Sequence, residues 1–141
     1  MKQAVQFGAG NIGRGFLGQL YFESGYRTTF VDVVPEVVEG LQRRGAYPLR
    51  IVGDEPREMT ITNVTAISSL DTDAVSGALA AADIAATAVG VNVLPRIAPA
   101  LAAGIARRFV QPDSAPVNII VCENLIDGGS FLREHVRAHL D

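Results

Sequence analysis

The sequence predicts an α/β fold, a doubly wound parallel sheet with a small β insertion. Short apolar runs rich in β-branched residues alternate with amphipathic helical stripes along most of the 141 residues. The first run is followed at once by a glycine turn and a helical stripe, which is the order in which such sheets begin. Consecutive strands interrupt the alternation once, in the first half. The chain is therefore expected to form one domain over residues 1–141.

The individual elements follow from local patterns and from the turn residues between them. In the first half, strands are expected at residues 2–7, 27–33, 47–53, 57–62 and 64–68, and helices at residues 12–24 and 35–45. In the second half, helices are expected at residues 73–82, 94–108 and 131–140, and strands at residues 83–89 and 117–122. The polar turn Asp54-Glu55-Pro56 joins two of the consecutive strands, which form the insertion.

Composition and charge exclude several classes of protein. Hydrophobic residues make up 48% of the chain and charged residues 19%, so the chain can bury a core. No apolar run reaches the ~18 to 20 residues of a membrane span, and the cytoplasm is the expected location. The net charge of −3 argues against a nucleic-acid partner. Cys122 is the only cysteine, so neither an internal disulfide nor a thiolate metal cluster is expected.

The glycine turn Gly8-Ala9-Gly10-Asn11-Ile12-Gly13 matches G-x-G-x-x-G, the dinucleotide-binding fingerprint of the Rossmann fold. Gly8 would allow the tight turn out of the strand, and Gly10 would let the backbone approach a pyrophosphate. Gly13 would let the new helix pack closely on the sheet. The pyrophosphate would then bind to the unpaired amides and the positive dipole end of the helix start.

An acidic residue follows at the spacing that this fingerprint requires. Asp32 ends the second predicted strand, about 20 residues after Gly13, where a carboxylate accepts the adenosine ribose hydroxyls. A carboxylate there repels the 2′-phosphate of NADP, and the following Val33-Val34 offer no arginine to receive it. The predicted cofactor is therefore NAD.

Two later strand ends should also face the ligand crevice. Ala88-Val89-Gly90 ends the strand expected beside the first, and its loop should pass under the nicotinamide half of the cofactor. A purely structural strand end fits that spacing nearly as well. In Cys122-Glu123-Asn124, at the end of the next strand, Cys122 is better explained as a small buried residue than as a nucleophile. The amide of Asn124 could donate a hydrogen bond to a carbonyl or alkoxide oxygen.

Gly15 and Gly18 lie inside the first predicted helix, where each should cost up to ~1 kcal/mol relative to alanine. One interpretation is that cofactor, substrate or another domain approaches this turn closely. The other is tight packing on a neighbouring helix, and the sequence leaves both open.

The remaining charged and histidine motifs favour structural roles. His135 and His139 are spaced i, i+4, but they lack the glutamate of a zinc-protease helix and a third ligand, so no metal site is predicted. Arg43-Arg44 and Arg107-Arg108 fall in last helical turns, where cations complement the helix dipole, and they are interpreted as capping residues rather than as a phosphate site.

Four motifs together resemble one enzyme family. They are FGAGNIGRGFLG at residues 7–18, FVDV at 30–33, TAVG at 87–90 and NIIVCEN at 118–124. In order and spacing they are similar to those of the mannitol-1-phosphate 5-dehydrogenases, of the long-chain polyol dehydrogenases, over essentially the whole chain. The resemblance implies a metal-free, NAD-dependent oxidation of mannitol 1-phosphate to fructose 6-phosphate. A sugar phosphate would then be the partner of the full-length enzyme.

The resemblance also implies roles for individual residues. The glycine turn would hold the pyrophosphate, Asp32 the adenosine ribose and Val89-Gly90 the nicotinamide side. Asn124 would help to stabilise the substrate oxygen, as an accessory catalytic residue. The expected cofactor-binding residues are Gly8, Gly10, Asn11, Ile12, Gly13, Asp32, Val33, Ala88, Val89, Gly90, Glu123 and Asn124.

Members of this family continue into a helical domain that supplies a catalytic lysine. The only lysine here is Lys2, at the start of the first strand, which is not placed to act as a general base. The chain is therefore expected to bind NAD without turning over substrate alone. Two alternatives are a nucleotide-sensing regulatory module of a potassium transporter and the NAD domain of another two-domain dehydrogenase.

Overall fold

The strands and helices of the computed structural model, which describes residues 1–140, follow the predicted order. The strands are β1 (Gln3–Phe7), β2 (Arg27–Asp32), β3 (Ala46–Ile51), β4 (Arg57–Thr62), β5 (Val64–Ser68), β6 (Ile84–Thr87) and β7 (Asn118–Val121). The helices are α1 (Gly18–Glu23), α2 (Pro35–Arg44), α3 (Thr72–Ala80), α4 (Leu94–Phe109) and α5 (Gly128–Arg137). A π-helical turn, Gly13–Leu17, leads into α1, and a 3₁₀ turn, Val91–Val93, leads into α4. Asp141, the last residue of the predicted domain, lies outside the described residues.

Five strands form one parallel sheet in the order β5-β2-β1-β6-β7. This confirms the predicted doubly wound α/β fold. The chain moves outward from β1 through β2 to β5, then returns to the other side of β1 with β6 and β7. Such a reversal beside the first strand opens a crevice at the carboxyl ends of the strands.

The predicted β insertion is an antiparallel hairpin of β3 and β4, separate from the parallel sheet. The third consecutive strand, β5, does not belong to this hairpin and pairs in parallel with β2. The hairpin is therefore inserted between α2 and β5. Tyr47 and Ile61, a cross-strand pair of the hairpin, are both buried and anchor it to the core.

The core lies on both faces of the sheet. On one face α3, α4 and α5 bury apolar side chains such as Val75, Leu101 and Leu132. On the other face α2 and the hairpin pack around Phe30, and the first helix packs Leu17 against the sheet. No helix within residues 1–140 is long and apolar enough to cross a membrane.

Arg107 and Arg108 lie in the last turn of α4, as predicted, but their guanidinium groups bind the neighbouring helix α3 and its flanking loop. Arg108 is buried and donates hydrogen bonds to the carbonyls of Ala80 (3.0 Å) and Ala82 (2.6 Å) at the end of α3. Arg107 lies 3.5 Å from the Asp73 carboxylate in the first turn of α3. The two arginines therefore connect α4 to α3. The last helix also differs from its prediction, because α5 begins three residues earlier, at Gly128 after the left-handed Asp127.

A contact with the hairpin explains why residue 18 is a glycine. A Cβ at Gly18 would overlap the hydroxyl of Tyr47, whose ring stacks edge-on against Phe30. The same hydroxyl donates a 2.6 Å hydrogen bond to the carbonyl oxygen of Arg14, inside the π-helical turn. Neither a neighbouring helix nor a ligand accounts for this glycine, since the close contact comes from β3. Gly15 faces open space.

The contact of Gly18 with Tyr47 predicts a coupled pair of substitutions. Gly18→Ala should destabilise the chain by about 1 to 3 kcal/mol, because the new methyl group overlaps the Tyr47 hydroxyl. Tyr47→Phe removes that hydroxyl at a cost of about 1 kcal/mol for the lost hydrogen bond. Gly18→Ala should therefore cost much less in a Tyr47→Phe background, a coupling measurable by denaturant unfolding.

Gly15→Ala is the matched control, because its Cβ meets no neighbour within 4 Å and alanine favours the helix by up to about 1 kcal/mol. Equal costs of Gly18→Ala in the two backgrounds would show that Tyr47 is not the cause.

Candidate dinucleotide-binding site

A crevice of about 460 Å³ lies at the carboxyl ends of β1, β2 and β6. The glycine turn and Asp32 form one wall, and the end of β6 with the start of α4 forms the other. The residues that line it are Phe7, Gly8, Gly10, Val31, Asp32, Val33, Ser69, Leu70, Val75, Ala88, Val89, Val93, Arg96, Ile97 and Ala100. It is largely apolar with a few polar groups at its rim, which is the character of small-ligand sites.

Three glycines give the turn its shape for different reasons. Gly8 has a φ of +101°, and a Cβ there would overlap the carbonyl oxygen of Ala88, the residue after β6. A Cβ at Gly13 would overlap the carbonyl oxygen of Gly8, so the helix start packs directly on the turn. A Cβ at Gly10 meets nothing within 4 Å, which leaves free space beside the turn for a ligand.

Asn11 and Ile12 begin the helix and are exposed at its start. The first amides of a helix lack intrahelical acceptors, and they combine with the dipole to attract an anion. Ile12 is 55% exposed, so this end of the helix is open to solvent. The helix start therefore offers hydrogen-bond donors to a pyrophosphate at the edge of the crevice.

A buried hydrogen bond connects the two elements on either side of the glycine turn, β1 and the first helix. The Tyr21 hydroxyl donates to Oε1 of Gln6 over 2.8 Å, and Gln6 is completely buried in β1. Burial raises the pKa of Tyr21, and the nearby Cys122 thiolate would raise it further, so the hydroxyl keeps its proton and remains a donor. This bond fixes the first helix on the strand that leads into the glycine turn.

Asp32 ties the end of β2 to the glycine turn. One carboxylate oxygen accepts a 2.8 Å hydrogen bond from the Ala9 amide, and the other accepts a 3.0 Å bond from the Val34 amide. Each oxygen keeps a further lone pair that can accept a hydrogen bond. Asp32 is thus held in place at the crevice wall while it retains the capacity to bind ribose hydroxyls.

The part of the crevice beyond Asp32 is apolar and open. Val33 is 60% exposed and Leu70 is 80% exposed, although both are large apolar side chains. Arg96, in the first turn of α4, lines the same space. Sequence reasoning selected Val33 but missed Leu70 and Arg96. Placing β5 in the parallel sheet would have identified Leu70, because it follows the carboxyl end of that strand.

Glu123 supports the loop after β6. Its two carboxylate oxygens accept hydrogen bonds of 3.0 Å from the backbone amides of Val89 and Gly90. Gly90 has a φ of +96°, which favours glycine, so the loop combines a special backbone angle with a carboxylate brace. A direct contact between Glu123 and a cofactor stays a prediction. The structure shows that this side chain positions the backbone predicted to lie under the nicotinamide.

Asn124 and Cys122 flank Glu123 and differ in environment. Asn124 is exposed beyond the end of β7, and its contact with a substrate stays a prediction. Cys122 packs against the cluster of Leu17 and Tyr21. Burial raises the pKa of the Cys122 thiol, and the charge of Glu123 raises it further, so the thiol stays protonated at neutral pH. It is a small packing residue, as expected.

His135 lies in α5 and His139 follows the end of that helix. His135 packs edge-on against Phe131 with 4.8 Å between ring centres, and His139 is exposed. Within residues 1–140, no three His, Cys, Asp or Glu side chains are grouped so that they could hold a metal ion.

Comparison with known proteins identifies the family. Residues 2–141 match the family model described as the mannitol dehydrogenase Rossmann domain. The chain belongs to this family. Its members bind a nicotinamide dinucleotide, and the match does not separate NAD from NADP.

Curated relatives extend the same likeness. The chain is 46% identical over its whole length to mannitol-1-phosphate 5-dehydrogenase of Oceanobacillus iheyensis, and it covers 36% of that protein. It is 47% identical over 98% of its length to the enzyme of the same name from Geobacillus thermodenitrificans, again covering 36%. The chain thus spans little more than a third of the relatives that it matches.

Solved structures agree on the fold. A Rossmann-fold NAD(P)-binding family protein from Shigella flexneri superposes with a TM-score of 0.57 and 16% identity. The superposition covers 99% of this chain and 63% of the Shigella flexneri protein. Glycerol-3-phosphate dehydrogenase from Coxiella burnetii superposes over 99% of the chain and 38% of its own, with a TM-score of 0.57 and 15% identity. At these identities the likeness shows the Rossmann fold alone.

The Glu123 brace predicts a loss of cofactor affinity on Glu123→Gln. The amide side chain has one acceptor oxygen, so one of the Val89 and Gly90 amides loses its partner. Loosening this loop should weaken NADH binding by roughly tenfold, which corresponds to 1.4 kcal/mol, in a fluorescence titration. Hydrogen exchange of the two amides should become faster.

Glu134→Gln is the matched control. It removes the same charge from an exposed position of α5, away from the crevice. If the Glu123 variant kept wild-type NADH affinity and wild-type exchange at Val89 and Gly90, the brace would have no role in binding.

Proposed function

We propose that this chain is the NAD-binding domain of an oxidoreductase that interconverts mannitol 1-phosphate and fructose 6-phosphate. The observation that carries the proposal is the 43–47% identity, over nearly the whole chain, to four curated mannitol-1-phosphate 5-dehydrogenases. The family match favours this function over a nucleotide-sensing module of a potassium transporter. It also favours it over the NAD domain of a dehydrogenase with a different substrate.

The crevice fits a nicotinamide dinucleotide in size and polarity. The free space beside Gly10 and the exposed helix start at Asn11 and Ile12 suit the pyrophosphate. Asp32 would accept the adenosine ribose hydroxyls, and Val33 and Leu70 would contact the adenine. The loop at Val89-Gly90 would support the nicotinamide. When bound, the nicotinamide ring accepts a hydride from the substrate alcohol.

The hydrogen bonds of Asp32 support NAD rather than NADP. Two backbone amides fix the carboxylate, so it cannot swing away from a 2′-phosphate without breaking both bonds. Val33 and Val34, which follow it, carry no charge to neutralise that phosphate. Like charges held close in a partly buried site disfavour binding. The finer assignment to NAD follows from this repulsion.

The chain contributes binding and orientation to the reaction. We expect Asn124 to donate a hydrogen bond to the substrate oxygen as its charge develops. Lys2, the only lysine, lies at the amino end of β1, and the crevice lies at the carboxyl ends. The proposal therefore assigns the general base and most substrate contacts to residues outside this chain. The chain alone should bind NAD without oxidising substrate.

Cofactor preference tests the role of Asp32. NADH should bind at least about tenfold more tightly than NADPH, as measured by calorimetric titration. Asp32→Asn removes the repulsive charge and one strong ribose acceptor, so NADH binding should weaken and the preference should shrink to near unity.

Asp113→Asn, in an exposed loop away from the crevice, is the control and should leave both affinities unchanged. NADPH binding as tight as NADH binding in the wild-type chain would overturn the assignment to NAD.

The substrate assignment is tested by activity in a fusion. The chain would replace the matching third of the Oceanobacillus iheyensis relative, and cooperative thermal unfolding would verify folding. The fusion should reduce NAD with mannitol 1-phosphate and not with mannitol, while the chain alone should bind NADH without activity. A folded fusion that binds NADH but leaves mannitol 1-phosphate unchanged would contradict the substrate assignment while leaving the cofactor assignment intact.

A further inference from the structure

A second cavity, of about 480 Å³, lies between the start of the first helix, α2 and the hairpin. It touches the glycine turn at Gly10, which also borders the crevice, and at Asn11, while its other walls are residues outside the turn. Its polar and charged lining residues include Arg14, Glu36, Arg44 and Tyr47. None of these four side chains has a role in the proposed dinucleotide site.

Arg14 carries a buried hydrogen-bond donor without an acceptor. Its Nε is inaccessible to solvent and has no hydrogen-bond partner within residues 1–140. Buried donors in folded proteins are nearly always paired, and an unpaired one costs about 1 to 3 kcal/mol. The backbone of Arg14 is fixed at both polar groups, since its amide donates to the Gly10 carbonyl (2.9 Å) and its carbonyl accepts from the Tyr47 hydroxyl (2.6 Å).

The cavity carries excess positive charge. Arg14 and Arg44 oppose a single lining carboxylate, Glu36. The ion pairs within residues 1–140 involve other arginines, so both guanidinium groups are available to a ligand. Burial raises the pKa of Tyr47 to about 12, while the positive charge of Arg14 acts in the opposite direction. Tyr47 therefore remains a neutral hydroxyl that adds no negative charge to the cavity.

We propose that this cavity is a second anion site, which binds a phosphate monoester through the guanidinium groups of Arg14 and Arg44. The planar fork of arginine matches phosphate oxygens and forms charge-assisted hydrogen bonds with them. Solvent does not reach Nε of Arg14, so a phosphate would supply the acceptor that this atom lacks only after the side chain turns further toward the cavity. The ligand is a free phosphate monoester, because NAD, the proposed cofactor, carries a pyrophosphate and no phosphate monoester. The site stands on its own geometry and does not depend on the proposed dehydrogenase activity.

Calorimetric titration with inorganic phosphate tests the site, with saturating NADH present to occupy the crevice. The wild-type chain should bind phosphate saturably. Arg14→Gln and Arg44→Gln should each weaken it by roughly tenfold, equivalent to one charge-assisted hydrogen bond of about 1.4 kcal/mol. Arg43→Gln is the matched control, because it removes the same charge from an exposed position of α2 that does not line the cavity. It should change phosphate affinity by less than about twofold.

Further titrations test the identity of the ligand. Fructose 6-phosphate should bind under saturating NADH. Competition of phosphate with NADPH but not with NADH would show instead that the cavity takes the 2′-phosphate of a dinucleotide, which would overturn the proposal of a free monoester. NADH affinity should be unchanged in Arg44→Gln, which also serves as the test if Arg14→Gln fails to fold. Absence of saturable phosphate binding, or an equal loss in Arg43→Gln, would overturn the proposal. So would displacement of phosphate by NADH.

Discussion

The close approach of three strand ends at Gly8 is the constraint on which the site depends. The Gly8 amide donates to the Val31 carbonyl of β2, and the amide of Ala88, the residue after β6, donates to the Phe7 carbonyl of β1, each over 2.8 Å. A side chain at Gly8 would overlap the Ala88 carbonyl oxygen. With glycine there, the chain leaves β1 sharply and starts a helix directly above the sheet. The crevice and its exposed helix start both follow from that turn.

Two carboxylates then hold the neighbouring loops around this turn. Asp32 accepts hydrogen bonds from Ala9 and Val34, and Glu123 accepts them from Val89 and Gly90. Each acid stands at the end of one strand and fixes backbone that follows another. Loops held in this way keep their geometry before the ligand arrives, which reduces the ordering cost of binding. The hairpin adds a third support through Tyr47, which anchors the helix that follows the turn.

Local patterns in the sequence were sufficient for the fold and for part of the site. The alternation of apolar runs and helical stripes identified the sheet, and the spacing from the glycine turn to Asp32 identified two neighbouring strand ends. Contacts between distant segments could not be predicted from these local patterns. The partnership of Gly18 with Tyr47, the binding of Arg108 to the end of α3 and the brace from Glu123 each join residues 26 or more positions apart. Their positions depend on how the elements pack, which no local pattern encodes.

A nicotinamide dinucleotide is expected to bind in the crevice between the glycine turn and the loop after β6. Amide chemical shifts of the ¹⁵N-labelled chain, followed during titration with NADH, test it most directly. The largest changes should fall on the amides of Gly10, Asn11, Ile12, Val33, Leu70 and Gly90. Saturable changes confined to α5 or to the tip of the hairpin, or no saturable change at all, would contradict the account.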